Sequence, residues 1–231
     1  MTNSKLVAAV ILAGGQSVRF GKSFKQFAKI NGKPLISYSL GVFIKCKFIQ
    51  NIIIIAPKRR IAYANRLVRR LNDSRIQVVE GGEYRRQSAL KALIFLKRIS
   101  PDYVIFHDAA RPFISQEMVS GVLAEASRTG GAVIATKATD LVLKADNHKF
   151  IKSVSQKEKI FFGHTPQCFQ FDLILAAHLK CAKILQDADN IELVLNTNKR
   201  ARINVVEYSP AGSPKLTYKQ DLMAMRLFLR N

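Results

Sequence analysis

Ala13-Gly14-Gly15 ends an apolar run, and Arg19, Lys22 and Lys25 follow it closely. Small residues at the end of a strand let a polyanion approach the backbone, where N–H groups can bind it, and spaced cations can hold its phosphate oxygens. The chemistry implied is phosphate handling at the edge of a sheet. Spacing excludes two common forms of such a loop. A Walker A loop needs Gly, four residues and Gly-Lys-Ser/Thr. Gly21-Lys22-Ser23 supplies the end of that pattern, but Gln16 stands where the first Gly belongs and Gly15 is one residue too far away. A dinucleotide fingerprint, Gly-x-Gly-x-x-Gly, starts at neither Gly14 nor Gly15.

Three more segments carry reactive residue types. Tyr103–Phe106 runs directly into His107-Asp108-Ala109-Ala110-Arg111-Pro112. There Asp108 could coordinate Mg²⁺ or meet a substrate hydroxyl and Arg111 could hold a phosphate; equally, the two could form a pair capping the following helix. His107 reads as a residue that orients backbone rather than one that transfers protons. Gly81-Gly82-Glu83-Tyr84-Arg85-Arg86-Gln87-Ser88 could admit a ligand close to the backbone, with Ser88 donating or accepting, or could be a turn with a helix cap. His164-Thr165-Pro166-Gln167 and Ser213-Pro214-Lys215-Leu216-Thr217, the latter followed by Asp221, complete the set. Lys215 counts only in their company.

These loops need elements to position them. Short β-branched runs at Val7–Leu12, Asn51–Ala56, Gln77–Val79, Tyr103–Phe106, Ala132–Thr136 and Asn204–Glu207 read as strands. Between them, Pro34–Phe43, Ala62–Leu71, Arg86–Lys97, Ser115–Thr129, Phe171–Leu185 and Lys219–Leu229 read as helices. The unbroken Ile52-Ile53-Ile54-Ile55 predicts a strand buried on both faces. The expected fold is α/β and Rossmann-like: a mostly parallel twisted sheet with helices on both faces and ligands at the carboxyl ends of the strands. Residues 137–164 break the rhythm, with alternating charges and Val/Ile, and predict a protruding β-arm on a single domain spanning residues 1–231.

Composition narrows the class. Hydrophobic residues make up 48% of 231, enough for one packed domain. Cys46, Cys168 and Cys181 are scattered through apolar stretches without Cys-x-x-Cys spacing, which points away from a zinc knuckle or a disulfide framework and toward a cytoplasmic location. No apolar run approaches the roughly 20 residues of a membrane span, and Leu6–Ala13 reads as a buried strand rather than a signal peptide. A net charge of +21 would suit nucleic acid, yet Lys and Arg are spread along the chain with few interleaved aromatics, so an anionic small-molecule substrate is the expectation.

Taken in order, AGGxxxRFGxxxKQF, GGxxRxxS, HDAARP, TPQxF and PKLTxxxDL span nearly the whole chain and resemble the 2-C-methyl-D-erythritol 4-phosphate cytidylyltransferases. The resemblance implies CTP as co-substrate, Mg²⁺, and a homodimer in which an arm from each subunit enters its partner's site. It assigns Arg19 and Lys25 to the triphosphate and the transition state, Ala13, Gly14 and Gly15 to the nucleotide backbone, Gly82 and Ser88 to the cytosine, and Lys215 to the CTP phosphates. Asp108 and Arg111 would lie beside the sugar phosphate and metal, with Thr165 on the acceptor. Asp140 and Lys157, on the arm, would reach the acceptor across the dimer, Lys157 standing where an Arg is usual. Ser17, Phe24, Leu141, Asn190 and Ser213 depart from the family pattern, mostly around the acceptor pocket. The alternatives are a cytidylyltransferase for another polyol phosphate, such as ribitol 5-phosphate, or a nucleic-acid-binding descendant.

Overall fold

The computed structural model describes residues 5–15, 20–21, 24–181, 188–208 and 215–229. Strand β1 (Val7–Leu12) leads past a two-residue-per-strand hairpin, β2 (Lys29–Ile30) and β3 (Lys33–Pro34), to helix α1 (Ile36–Lys45). Strand and helix then alternate through β4 (Asn51–Ala56), α2 (Ile61–Leu71), β5 (Ile76–Glu80), α3 (Arg85–Leu96), β6 (Tyr103–Asp108), α4 (Gln116–Thr129) and β7 (Gly130–Lys137). The hairpin β8 (Val142–Ala145) and β9 (Ile151–Ser155) follows, then β10 (Phe161–Gln170), α5 (Phe171–Lys180), α6 (Asn190–Thr197), β11 (Arg202–Glu207) and α7 (Asp221–Phe228).

Seven strands form the central sheet in the order β11-β7-β10-β6-β1-β4-β5. All neighbours are parallel except β10, which runs antiparallel to both β6 and β7. The strand periodicity of two sorts β1 and β4 cleanly. Val7, Ala9, Ile11, Ile52 and Ile54 face one layer of core with α1, α2 and α4. Ala8, Val10, Leu12, Ile53 and Ile55 face the other with α3, α5 and α6. Ile52 to Ile55 are fully buried, as a strand covered on both faces requires.

Two elements escape the sequence pattern. Gly163 and Pro166 interrupt the period of β10, and the strand passes through them by a register shift between Gly163 and Gln167. Helix α6 is only eight residues long, and its start is held by the Asp189 carboxylate accepting from Ile191 N–H at 3.0 Å. The helix expected to run to Leu185 ends at Lys180, with residues 182–187 outside the described set. The expected arm at 137–164 is narrower as a hairpin: β8 and β9 pair with each other alone, while Phe161–Gly163 already pair with Ala135–Lys137 of the central sheet.

A third, smaller core lies beneath the carboxyl ends of the strands. Phe20, Ile30, Leu35, Ala110, Leu216 and Met225 pack together there, joining the β2–β3 hairpin and α7 to the segment after β6. Leu216 is fully buried and its N–H bonds Ala110 O at 2.9 Å. That contact fixes where the neighbouring Lys215 stands.

Candidate active site

A cleft of about 370 Å³ opens at the carboxyl ends of β1 and β6, lined by Gly14, Gly15, Lys25, Arg85, Ser88, Asp108 and Lys215 among others. One wall is a close-packed glycine cradle. Ser88 does not cap α3, whose N-cap is Tyr84; it lies one turn further in, where its hydroxyl accepts from Gly82 N–H at 3.1 Å. A Cβ on Gly14 would come within 2.8 Å of the Ser88 Oγ, and one on Gly82 within 2.3 Å of the Gln87 Cβ. Gly is thus demanded by close approach at both positions. Ala13 is buried with its N–H on Ile55 O at 2.8 Å, so it supports the loop from inside the sheet.

The cleft is also charged. Asp108 ends β6 and is 9% exposed. Its Oδ2 accepts from Lys215 Nζ at 2.5 Å and its Oδ1 from Arg85 Nε at 3.5 Å. Arg85 also pairs with Asp189 through Nη1 at 3.2 Å. Burial by itself would raise the Asp108 carboxyl, but the charges of Arg85, Lys215 and Arg111 outweigh it and hold the group well below the usual carboxylate range. Asp108 therefore stays ionised in a cleft with a cationic surround. Neither Asp108 nor Arg111 caps α4; Ser115 does, accepting from Met118 N–H at 3.2 Å.

Behind Asp108 runs a buried scaffold. The Thr165 hydroxyl accepts from Asp108 N–H at 3.1 Å and lies 3.1 Å from His107 Nδ1, while His107 Nε2 donates to Arg111 O at 3.0 Å. Burial pushes His107 down to about 4, so the ring is neutral and orients backbone. A second chain of bonds supports Asp189. His178 Nε2 donates to Asn190 Oδ1 (3.1 Å), Asn190 Nδ2 to Gln167 Oε1 (3.1 Å), and Gln167 Nε2 to Asp189 Oδ1 (3.0 Å).

The family profile for IspD, 2-C-methyl-D-erythritol 4-phosphate cytidylyltransferase, matches residues 7–231. The chain belongs to this cytidylyltransferase family. A relative named 2-C-methyl-D-erythritol 4-phosphate cytidylyltransferase from Thermotoga neapolitana is 32% identical over 224 residues, covering 96% of each chain. One of the same name from Petrotoga mobilis is 30% identical over 220 residues, 94% of this chain and 95% of the relative. The solved 4-diphosphocytidyl-2C-methyl-D-erythritol synthase of Anaerococcus prevotii shares the fold at a TM-score of 0.87 and 23% identity, covering 99% of this chain and all (100%) of that one.

Against that family frame, the structure brings Gly14, Gly15, Lys25, Ser88, Asp108 and Lys215 into one cleft. Arg111 follows the scaffold behind Asp108, and Thr165 is nearly enclosed, its hydroxyl engaged with backbone and His107. Asp140 and Lys157 are exposed on the arm and do not line this chain's own cleft. Arg19 lies outside the described residues, as do Ser17, Lys22 and Ser213. Arg85 and Gln26 also line the cleft, and Asp189 pairs with Arg85 at its edge. Arg85 was visible in GGxxRxxS and Gln26 in the KQF end of the first motif, but only the fold shows that Gln26 donates to the carbonyls of Ala13 and Gly15, the latter at 3.2 Å. Only the fold shows that Asp189 caps α6 and pairs with Arg85.

Proposed function

We propose that the chain transfers CMP from CTP to 2-C-methyl-D-erythritol 4-phosphate, giving 4-diphosphocytidyl-2-C-methyl-D-erythritol and pyrophosphate. The observation that carries this reading is the cleft that Gly14, Gly15 and Ser88 line together with Lys25, Arg85 and Lys215. A phosphate oxygen of the acceptor attacks the α-phosphorus in line, the bond to the β-phosphate oxygen breaks, and pyrophosphate departs with that electron pair. The acceptor phosphate is already a nucleophile, so no side chain needs to take a proton or form a covalent intermediate. Catalysis then rests on positioning and on cations aimed at the charge developing on the α-phosphate. Lys25 and, beyond the described residues, Arg19 serve as those cations. Gly82 and Ser88 hold the cytosine, Ala13 to Gly15 the nucleotide backbone, and Lys215 the phosphates.

Asp108 is the carboxylate among the residues lining the cleft, and Mg²⁺ is commonly held by one or two carboxylates together with substrate phosphates. The donor set fits that ion, which would neutralise phosphate charge when bound. Arg111, Asp140, Lys157 and Thr165 are assigned to the acceptor side. The arm displays Leu141, Leu143, Phe150, Ile151 and Val154 to solvent, which supports its packing against a second copy and its delivery of Lys157 to that copy's acceptor pocket. The domain is then a single unit with a dimerisation arm near 137–164. Among the described residues no helix is long and apolar enough to cross a membrane. The three buried free cysteines fit a reducing cytoplasm.

Pyrophosphate release from CTP, measured with a panel of acceptor phosphates, tests the reading directly. Turnover is expected with 2-C-methyl-D-erythritol 4-phosphate. Preference for ribitol 5-phosphate would reassign the acceptor, and tight, steeply salt-dependent binding to DNA without turnover would overturn the enzyme.

A further inference from the structure

Lys25 opens a single 3-10 turn, Lys25–Phe27. The turn's two hydrogen bonds, Phe27 N–H to Phe24 O and Ala28 N–H to Lys25 O, both 3.0 Å, are too few to fix a backbone alone. Its flanking side chains tie it to the rest of the molecule from two directions. On the inner side, Gln26 is buried and donates to the carbonyls of Ala13 and Gly15. On the outer side, two aromatic rings meet the start of α2, at its N-cap Arg60 and at Tyr63 in its first turn. Phe27 stands edge-on to Tyr63, with centroids 5.5 Å apart at 79°. Phe24, the residue before Lys25, packs against the core on one side, and the Arg60 guanidinium lies 5.2 Å from its ring centroid.

The two outer holds differ in kind from the inner one. Gln26 fixes the turn relative to the glycine loop, whereas Arg60 and Tyr63 fix it relative to α2, the helix that leaves the carboxyl end of β4. A cation over an aromatic face is directional, and a planar guanidinium stacks as well as attracts. Losing either ring contact would loosen the turn's hold on α2 and let Lys25 shift within the cleft. A displacement of that kind lowers a rate more than it lowers affinity, because transition-state contacts depend on position most strongly.

We propose that Arg60 and Tyr63 form a clamp that, through Phe24 and Phe27, positions Lys25 for the transfer step. Arg60 is thus a positioning residue, and the idea rests on the role given to Lys25 above. Steady-state kinetics on the full chain, with CTP and 2-C-methyl-D-erythritol 4-phosphate, test it. Arg60→Gln is expected to lower kcat about two- to fivefold, the factor an exposed cation–π contact supplies, while KM for CTP moves less than twofold. Arg60→Lys, which keeps the charge without the planar stack, should recover part of the loss. In a Phe24→Leu background, where there is no ring to stack on, Arg60→Gln should add nothing. Tyr63→Leu should reproduce the kcat effect by way of Phe27. A change confined to KM for CTP, or the same Arg60→Gln effect with Leu at position 24, would mean that Arg60 only attracts the nucleotide and would overturn the clamp. Lys25→Ala separates the two levels. If it leaves turnover intact, the role of Lys25 itself fails; if it abolishes turnover while Arg60→Gln changes nothing, only the clamp fails.

Discussion

Asp108 and Lys157 are both charged, and both are assigned to the same reaction, yet they live in opposite surroundings. Asp108 sits at the end of a central strand with Lys215, Arg85 and the Thr165 hydroxyl around it, and its backbone and carboxylate are each held by named partners. Lys157 stands exposed on a short turn beyond a hairpin whose strands pair only with each other. The cleft around Asp108 is therefore assembled within one chain, in a low-dielectric setting where fixed charges act strongly. The arm carries its charge and five exposed apolar side chains outward, where they gain a role only against another surface. Rigid preassembly suits the group undergoing bond exchange; the acceptor side can be completed by a second molecule.

That contrast breaks first at Lys25. Lys25→Ala should lower turnover on the order of 100-fold or more, as removal of one preorganised electrostatic group does elsewhere. Near-normal pyrophosphate release would move the catalytic charge out of the preassembled cleft. Lys157→Ala is expected to act on one substrate only, raising KM for the acceptor phosphate roughly tenfold, the loss of about one charge-assisted hydrogen bond, with KM for CTP unchanged. An equal effect on both substrates would contradict a separate acceptor side.

Thr165→Val sharpens the boundary between the two regions. If the hydroxyl is scaffold, its loss strands Asp108 N–H and His107 Nδ1, lowering the unfolding free energy by about 2 kcal/mol and Tm by roughly 4–8 °C. A raised KM for the acceptor with an unchanged melting curve would instead put Thr165 on the ligand.

The smallest effect concerns pH and stability. Burial pushes His107 and His178 each down to about 4 in the folded state, against about 6.5 for the free side chain. Between those values the unfolded chain binds protons that the native one does not. Stability is then fully present above about pH 6.5 and is lost as pH falls toward 4, by up to about 1.4 kcal/mol per pH unit for each ring. Denaturant titrations at pH 7.5, 6 and 5 should show this slope. His178→Gln should reduce it; an unchanged slope would remove His178 from the balance.

Much of this was legible without coordinates. The Ile52–Ile55 run announced a strand covered on both faces, and the Ala13-Gly14-Gly15 loop announced close approach of the backbone at the end of a strand, because burial and close approach restrict residue type at each position. β10 was not legible, since Gly163 and Pro166 hide its period, and α6 is too short to show one. Arg85 and Asp189 were missed for a different reason: a charged residue in a loop has no sequence signal for the partner it will meet across the fold.

The amino-acid sequence by itself determined the α/β alternation and the family, because local periodicity and motif spacing are properties of neighbouring residues. Only the tertiary structure decided that Lys215, 107 residues from Asp108 along the chain, comes to 2.5 Å from its carboxylate, and that Thr165 supports Asp108 from behind. Those choices depend on how β10 inserts antiparallel beside β6 and how Leu216 packs against Ala110, and packing between distant segments is written in no local pattern.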